Sequence, residues 1–243
     1  LKQRLASLFF PVLKKYFFSH AWVTGPLQFE YAKRLGFKNF ETIHNCYSAD
    51  TDIFNNEFEK SKKNKDAKYP HRFLFVGRFE SVKGIDILVK AWSNIKKKDL
   101  SKDWELTLIG NGSFYNQLSK SNIYETISFM QPKDLVCEIK NFGCFLLPST
   151  FEPWALVIHE FATAGLPIIC SDICGAAPMF VIDNYNGYTF KSGNSSNLEV
   201  KMIKIINSSD EELIQMSKRS NSLGKRITPE LTAASFMSLV NNN

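Results

Sequence analysis

Two basic side chains follow an apolar segment of the chain closely enough to hold one anion. Arg78 and Lys83 lie five residues apart, directly after the run RFLFVG. Gly77 allows a sharp turn, and Gly84 stands at the start of a predicted helix, where backbone N–H groups favour negative charge. The pattern is compatible with a phosphate site, and equally with an ordinary loop that these side chains cap and solvate.

A second cluster combines two carboxylates with the start of a helix. In the segment FLLPSTFEPWALVIHE, Glu152 lies on a loop and Glu160 lies inside a helix that begins near Ala155. Carboxylates accept hydrogen bonds from sugar hydroxyls, and N-terminal amides donate to phosphate. The pattern therefore predicts a ligand with both hydroxyl and phosphate groups. The alternative is that Glu160 faces solvent and Glu152 is an exposed loop acid.

Two further patterns are weaker. The turn at 110–112 (GNG) follows a strand, but it lacks the full spacing of a dinucleotide-binding loop, so a plain turn is favoured. Asp50 and Asp52 form an Asp-x-Asp pattern that could bind a divalent cation. They fall in a segment predicted to be a hinge, where a structural role is favoured.

Histidine and tryptophan side chains offer other chemistry. His159 is predicted to be a packed or half-exposed helix histidine, while His20 and His44 flank short strands without a carboxylate to orient them. Trp154 could stack on a sugar face, although a buried aromatic side chain is the more frequent outcome.

The composition is that of an ordinary globular protein. Of 243 residues, 44% are hydrophobic and 22% charged, and the apolar runs are much shorter than the ~18 residues of a membrane span. Five cysteines without a CxxC pair argue against a zinc or disulfide framework and favour a reducing compartment. The charge of +6 is concentrated in the first hundred residues, which favours anionic partners. The chain starts at Leu without a leader sequence, so we expect a cytoplasmic fragment whose upstream part is absent.

Short apolar segments alternate with helical patterns from about residue 72 onward. Because these segments are almost continuously apolar, they are expected to be strands buried on both faces, as in a parallel sheet. The repeated strand–helix–strand order predicts an α/β fold with a Rossmann-like, doubly wound parallel sheet. The predicted strands are 72–77, 105–110, 126–130, 143–148 and 167–171, and the predicted helices are 83–95, 113–121, 133–142 and 155–164.

These motifs resemble the donor-binding half of retaining, GT-B-fold, family 4 glycosyltransferases. GRFESVKGIDILVKAW is similar to their G-R-(x4)-K-G-(x3)-L-(x2)-A stretch, and FEPWALVIHEFATAGLPIICSD is similar to the stretch that carries their two glutamates. Asn186-Gly187-Tyr188 resembles the N-G-x turn that follows, and IHNCYSADTDIF resembles the end of the first domain. The resemblance spans about residues 20–240, with its motifs in the right order.

The resemblance implies a role for each matching residue. Arg78 and Lys83 would neutralise the donor diphosphate, while Glu152 and Glu160 would bind the transferred sugar and the ribose. The N–H groups at the start of the helix would hold phosphate oxygens, and the backbone around 130–133 would meet the base. The expected catalytic residues are Arg78, Lys83 and Glu152, and the expected donor-binding residues are Gly77, Asn111, Gln131, Lys133, Ala155, Leu156, Val157 and Glu160.

Three residues depart from the family pattern. Pro153 and Ala155 replace two usual glycines, and Gln131 stands where glycine is common. Ala155 narrows the space beside the phosphate, and Pro153 stiffens the loop.

The resemblance also implies a domain organisation. Residues 1–58 would be a remnant of the acceptor-side N-terminal domain, and the polar segment 59–70 would be a linker. Residues 71–226 would bind the nucleotide-sugar donor, and 227–243 would form a C-terminal helix that crosses back to the first domain. The basic, amphipathic segment 1–18 could lie on an acidic membrane as a peripheral contact, but Pro11 interrupts it and favours an ordinary surface helix.

The reaction implied is transfer of a hexose from a nucleoside diphosphate sugar to a saccharide or lipid-linked acceptor, with retention, in bacterial polysaccharide synthesis. It would need no metal or other cofactor, because Arg78, Lys83 and a helix N-terminus would stabilise the leaving diphosphate. No nucleic acid partner is expected. A nucleotide-sugar epimerase of the same fold and a non-catalytic nucleotide-sugar-binding module are the alternatives. The chain alone is expected to bind nucleotide weakly and to transfer no sugar.

Overall fold

The computed structural model describes residues 2–45 and 47–240, so Leu1, Cys46 and residues 241–243 lie outside the described part of the chain. The strands are β1 (Ala21–Trp22), β2 (Thr42–Ile43), β3 (Arg72–Val76), β4 (Glu105–Ile109), β5 (Glu125–Ile127), β6 (Cys144–Leu147), β7 (Ile168–Ser171) and β8 (Gly187–Phe190). The α-helices are α1 (Lys2–Phe17), α2 (Pro26–Arg34), α3 (Thr51–Ala67), α4 (Ile85–Lys97), α5 (Tyr115–Leu118), α6 (Pro132–Glu138), α7 (Leu156–Thr163), α8 (Ala177–Phe180), α9 (Ser195–Asn207), α10 (Asp210–Gly224) and α11 (Pro229–Val240).

The chain divides into two compact units. The smaller unit comprises Leu1–Ala49 and Ile227–Asn243, and the larger unit comprises Asp50–Arg226. Each unit contains its own parallel sheet, a pair of strands in the smaller unit and six strands in the larger one. The helix α11 thus belongs to the unit formed by the start of the chain.

All six strands of the larger unit are parallel and follow the order β5-β4-β3-β6-β7-β8. Helices connect successive strands, so the predicted Rossmann-like α/β fold is confirmed. The central strands are buried on both faces, as their continuous apolar runs predict, with Phe73, Leu74 and Phe75 fully excluded from solvent. The strand β8 was not among the predicted strands, because its first two residues fall in the motif interpreted as an N-G-x turn.

The predicted linker at 59–70 is wrong, because the helix α3 runs through most of it. Phe54, Phe58, Ser61 and Lys65 are buried at intervals of four, three and four residues, which is the period of one helix face. The many charged residues between them hide that period in the sequence. The helix packs against α7 and α10 and is therefore part of the larger unit rather than a hinge.

Lys65, on the buried face of α3, has its side chain inside the larger unit. Its Nζ donates to the carbonyl oxygen of Phe142 at 3.0 Å, and burial lowers the pKa of the ammonium group to about 7, against the opposing charge of Glu57. The ordinary pKa of lysine is higher, so between pH 7 and about 10 the unfolded chain binds more protons than the folded chain. This group therefore makes the fold more stable as the pH rises through that range.

We expect Lys65→Met to remove this contribution, which amounts to at most about 1.4 kcal/mol of unfolding free energy per pH unit. Urea unfolding of the wild type and the variant between pH 7 and 9 measures how steeply the unfolding free energy of each changes with pH. The matched control is Lys63→Met, because Lys63 is exposed on the same helix. Parallel pH profiles for the wild type and Lys65→Met would contradict the assignment.

In the smaller unit, α1 continues through Pro11 rather than stopping there. The side chain of Lys14 forms an ion pair with Glu41, which links α1 to the 3₁₀ turn ahead of β2. Several apolar side chains of α1 are exposed, including Leu8 and Phe9. None of the helices in the described ranges is long and apolar enough to cross a lipid bilayer.

Candidate functional site

The candidate site lies at the carboxyl edge of the six-stranded sheet, where β3 and β6 run side by side. The chain continues from β3 to β4 on one side and from β6 to β7 on the other. This reversal of strand order opens a crevice beyond the carboxyl ends of the two strands, which is where doubly wound sheets bind ligands. The loops 77–84 and 148–155 flank the crevice, and both were predicted to carry chemistry.

Backbone contacts hold these two loops together. Gly84 has a left-handed conformation with φ of 68°, and an added Cβ would lie 1.9 Å from the carbonyl oxygen of Pro148. The N–H of Thr150 donates to the carbonyl oxygen of Val82 at 2.9 Å. Only glycine fits at position 84, and the loops have little freedom to separate.

The structure brings Lys83 and Glu152 into direct contact across the crevice. Lys83 Nζ donates to Glu152 Oε2 at 2.5 Å, and Ser149 Oγ donates to the same oxygen at 3.2 Å. The lysine and glutamate side chains are 23% and 12% exposed, so most of the pair is shielded from water. Arg78 is exposed on the lysine's loop, and its convergence with Lys83 on one anion stays a prediction.

Glu160 lies in the second turn of α7, the helix that follows the loop 148–155. Burial raises the pKa of its carboxyl group to about 6. Within the described part of the chain, no side chain caps the first turn of α7, so nothing but backbone defines the positive end of this helix. The N–H groups of Leu156 and Val157 belong to that turn. A helix N-terminus and a half-buried acid therefore follow the Lys83–Glu152 pair along the chain.

Ala155, the residue that replaces a usual family glycine, precedes α7 in a left-handed conformation with φ of 78° and ψ of 72°. An alanine in this region is strained because its Cβ approaches the following carbonyl group. The hydrogen bond from the N–H of Ala176 to the carbonyl of Trp154, at 2.7 Å, holds the adjoining backbone in place. The fold thus maintains a glycine-like backbone without the glycine.

We expect Ala155→Gly to raise the free energy of unfolding by about 0.5–1 kcal/mol. The strain energy that the substitution relieves in the folded chain exceeds the entropy cost of the more flexible unfolded chain. Chemical denaturation measures this directly. Ala162→Gly is the control, because Ala162 lies inside α7 with ordinary helical geometry and its replacement should destabilise the protein by at least about 1 kcal/mol. Destabilisation by both substitutions would show that position 155 carries no strain.

The third loop, at 110–112, supports the first. A Cβ at Gly110 would lie 1.9 Å from the carbonyl oxygen of Gly77, and the N–H of Phe79 donates to the carbonyl of Asn111 at 2.9 Å. The Asn111 side chain accepts a hydrogen bond from the N–H of Gly112 at 2.8 Å. This loop braces the loop after β3, as a plain turn would, and donor binding by Asn111 stays a prediction.

Gln131 and Lys133 lie at the start of α6, after the edge strand β5, and both are exposed. Their proposed position beside the base stays a prediction. Glu80, on the loop after β3, accepts hydrogen bonds from the N–H and Oγ of Ser113 at 2.9 and 2.8 Å. These bonds, with a smaller contribution from the charge of Arg78, hold the pKa of Glu80 below its usual range.

His159 of α7 and Trp154 of the preceding loop are packed in the protein interior. His159 is fully buried, with Nε2 at 2.8 Å from the carbonyl oxygen of Gly224 and its ring stacked on Phe180 at 4.2 Å. Of the two predicted alternatives for His159, packed or half-exposed, the structure shows the packed one. Trp154 is only 8% exposed and meets the same phenylalanine edge to face, so burial rather than an open stacking surface is the outcome.

The remaining candidates are Asp50 and Asp52 of the larger unit and His20 and His44 of the smaller unit. Asp50 caps the start of α3 by accepting a hydrogen bond from the N–H of Ile53 at 3.3 Å, and Asp52 is exposed in the first turn. Among the described residues, no cluster of three or more histidine, cysteine or acidic side chains could hold a metal ion. His20 and His44 line a cavity of about 540 Å³ in the smaller unit.

A cavity of about 690 Å³ lies at the opposite, amino edge of the sheet. There His71 Nδ1 lies 2.6 Å from Asp103 Oδ2, and Nε2 lies 2.8 Å from Asp210 Oδ1. Burial lowers the pKa of His71, but the two carboxylates outweigh burial and leave the pKa raised. These contacts join the starts of β3, β4 and α10, and no motif in the sequence indicates them.

Residues that support Glu152 were also missed. Ser149 is buried and, besides bonding Glu152, accepts a hydrogen bond on its carbonyl from Ser171 Oγ at 2.6 Å. The N–H of Gly175 donates to the carbonyl of Glu152 at 3.1 Å. The only sequence signal was the Pro-Ser-Thr run at the end of the β6 segment, where small polar side chains often satisfy a loop backbone.

Several relatives of the chain carry glycosyltransferase names. The chain is 29% identical over 164 residues to an uncharacterized glycosyltransferase of Haemophilus influenzae, covering 65% of this chain and 46% of that protein. It is 30% identical over 146 residues to an uncharacterized glycosyltransferase of Methanocaldococcus jannaschii, covering 58% and 39%. It is 27% identical to D-inositol 3-phosphate glycosyltransferase of Corynebacterium diphtheriae, covering 46% and 29%. The chain thus spans less than half the length of these relatives.

Solved structures with the same fold include Anabaena HepE and a sucrose-phosphate synthase. The crystal structure of Anabaena HepE with UDP superposes with a TM-score of 0.77 at 16% identity, covering 99% of this chain and 68% of that chain. Sucrose-phosphate synthase from Thermosynechococcus elongatus gives 0.73 at 20% identity, covering 96% and 61%. These identities establish the fold alone. Residues 55–223 match the family described as glycosyl transferases group 1. Because that match covers well over half of the chain and includes both loops of the crevice, the chain belongs to the group 1 glycosyl transferases.

Proposed function

We propose that this chain binds a nucleoside diphosphate sugar and serves the transfer of that sugar to a saccharide or lipid-linked acceptor, with retention. Family membership supports glycosyl transfer in general. The structures of HepE with UDP-glucose and with UDP suggest suitable probes for the donor. The donor, the acceptor, the stereochemistry and the need for a metal are all parts of the proposal.

One observation carries the proposal. At the switch point of the sheet, an ammonium group and a carboxylate meet within 2.5 Å, beside the start of a helix without a side-chain cap. A ligand that satisfies all three needs negative oxygens for the ammonium and the helix, and hydroxyl donors for the carboxylate. A nucleoside diphosphate sugar carries both, with the diphosphate directly joined to the sugar.

The roles of individual residues follow from this arrangement. Lys83 and Arg78 bind the diphosphate, together with the first-turn N–H groups of α7. Glu152 accepts hydrogen bonds from hydroxyls of the transferred sugar. Glu160 accepts hydrogen bonds from the ribose, and it does so best as a carboxylate, whose two oxygens only accept.

Calorimetric titration of the chain with UDP-glucose, UDP and uridine tests the proposal, with GDP-mannose, GDP and guanosine as a second series. We expect at least one diphosphate to bind about tenfold or more tightly than its nucleoside, because charge-assisted hydrogen bonds to phosphate are the strongest contacts offered. Equal affinity for nucleosides and diphosphates in both series would contradict the proposal.

Removal of metal ions is expected to leave donor affinity unchanged. In the proposal, Arg78, Lys83 and the N-terminus of α7 stabilise the leaving diphosphate, as a divalent cation does in metal-dependent transferases. Titration of the chain with UDP-glucose should give the same dissociation constant in the presence of EDTA as in the presence of Mg²⁺ or Mn²⁺. A strict requirement for either ion would contradict metal independence and bring Asp50 and Asp52 back into consideration.

A further inference from the structure

The Lys83–Glu152 ion pair joins two groups that the proposed function assigns to different parts of the donor. Lys83 is needed by the diphosphate and Glu152 by the sugar, yet in the structure each binds the other at 2.5 Å. The pair is mostly shielded from water, so its attraction is screened less than that of a surface pair. A ligand that enters the crevice must therefore compete with this contact.

Neither partner can simply move away with its loop. The loops are joined by the hydrogen bond between Thr150 and Val82, and Gly84 lies against the backbone of Pro148. Ser149 Oγ and the N–H of Gly175 also hold the Glu152 side chain and backbone. The carboxylate consequently stays close to Lys83 whatever ligand is bound, and only side-chain rotation can change the pairing.

We infer that Glu152 competes with the donor diphosphate for Lys83 and so makes the site prefer a sugar-bearing nucleotide over the free nucleoside diphosphate. The inference rests on the proposed function and adds a second role for Glu152. When the sugar is present, its hydroxyl groups donate hydrogen bonds to the Glu152 carboxylate. These bonds replace the contact that Glu152 loses when Lys83 binds the phosphate instead. After transfer the hydroxyls are gone, the carboxylate repels the diphosphate and recovers Lys83, and the product is released more readily.

This inference predicts an unusual change of sign. Removing the charge of Glu152 should raise the affinity for UDP. It should also lower the ratio of the affinity for UDP-glucose to the affinity for UDP. We expect Glu152→Gln to lower the dissociation constant of UDP by about threefold to tenfold, which is the size expected for release of a partly buried ion pair. A residue that only bound the sugar would leave UDP affinity unchanged.

The experiment is a calorimetric titration of the wild type and Glu152→Gln with inorganic pyrophosphate, UDP and UDP-glucose. Asp86→Asn is the matched control, because it removes the same charge from an exposed position in the first turn of α4, close in sequence to Lys83. Glu152→Gln should tighten pyrophosphate and UDP, whereas Asp86→Asn should not do so to the same extent. In a Lys83→Met background, Glu152→Gln should have less effect, since the contested ammonium is missing.

The outcomes separate the inference from the proposed function. If Glu152→Gln binds pyrophosphate more tightly, and if this gain is lost in the Lys83→Met background, the competition is supported. If UDP binds no better than pyrophosphate, nucleotide recognition is contradicted, but the competition is still supported. Unchanged or weaker pyrophosphate and UDP binding by a folded Glu152→Gln variant overturns the inference, while a preference for UDP over uridine would still support the proposed function. Thermal unfolding of each variant verifies that it is folded.

Discussion

Replacing Arg78 or Lys83 with alanine is expected to weaken nucleoside diphosphate binding by about tenfold to a hundredfold, which corresponds to about 1.5–3 kcal/mol for a charge-assisted hydrogen bond in a desolvated site. The free nucleoside should lose little. The larger loss is expected for Lys83→Ala, because that substitution also leaves the Glu152 carboxylate without its partner beside the incoming phosphates.

Calorimetry with UDP and uridine measures both parts of this expectation. Lys90→Ala provides the control, since Lys90 is an exposed lysine on α4, the helix that follows the loop. If each variant lost the same factor for UDP and for uridine, the two side chains would not bind phosphate. If Arg78→Ala alone were without effect, the diphosphate role would belong to Lys83 and the helix N-terminus.

Glu160→Gln is expected to stabilise the fold while it damages nucleotide binding. The carboxyl group has a pKa of about 6 in the folded chain because it is buried, against an ordinary value of 4.5. Between these values the folded chain binds more protons than the unfolded chain, so stability falls as the pH rises from 4.5 to 6 and stays lower above 6. The penalty at pH 8 amounts to about 1–2 kcal/mol of unfolding free energy, which the neutral glutamine avoids.

Nucleotide affinity should change in the opposite direction. If Glu160 binds the ribose as a carboxylate, Glu160→Gln should weaken UDP and uridine alike by about tenfold. Wild-type affinity should also fall as the pH drops through about 6, whereas the variant should show no such change. Glu138→Gln, an exposed position on α6, is the control for both measurements. A variant that is destabilised at pH 8, or that binds uridine as well as the wild type does, would refute this account of Glu160.

The fold was largely predictable because its strands are buried on both faces. Continuous apolar runs such as FLFV and CFLL are typical of strands buried on both faces, and the strands β3 and β6 lie where these runs predict. The helix α3 escaped prediction because its buried positions include a serine and a lysine, which a hydrophobic pattern does not register.

The candidate site was predictable as a set of residues but not as a set of contacts. Lys83 and Glu152 were identified from their motifs, yet they lie 69 residues apart, and their ion pair depends on β3 and β6 being neighbours in the sheet. The left-handed conformation of Ala155 has a similar origin. The sequence indicated that alanine replaces a glycine, but only the structure shows that the backbone kept the conformation that favours glycine.

The central claim is that the nucleotide-sugar donor binds in the crevice between the ends of β3 and β6. Hydrogen–deuterium exchange, measured with and without saturating UDP-glucose and then GDP-mannose, tests it most directly because it locates the ligand without any substitution. The account predicts slower exchange in the segments 77–84 and 148–160 with at least one of the two donors, and no change around His71 and Asp103 at the amino edge of the sheet. Protection confined to the amino edge, or no protection of either crevice loop by either donor, would contradict it.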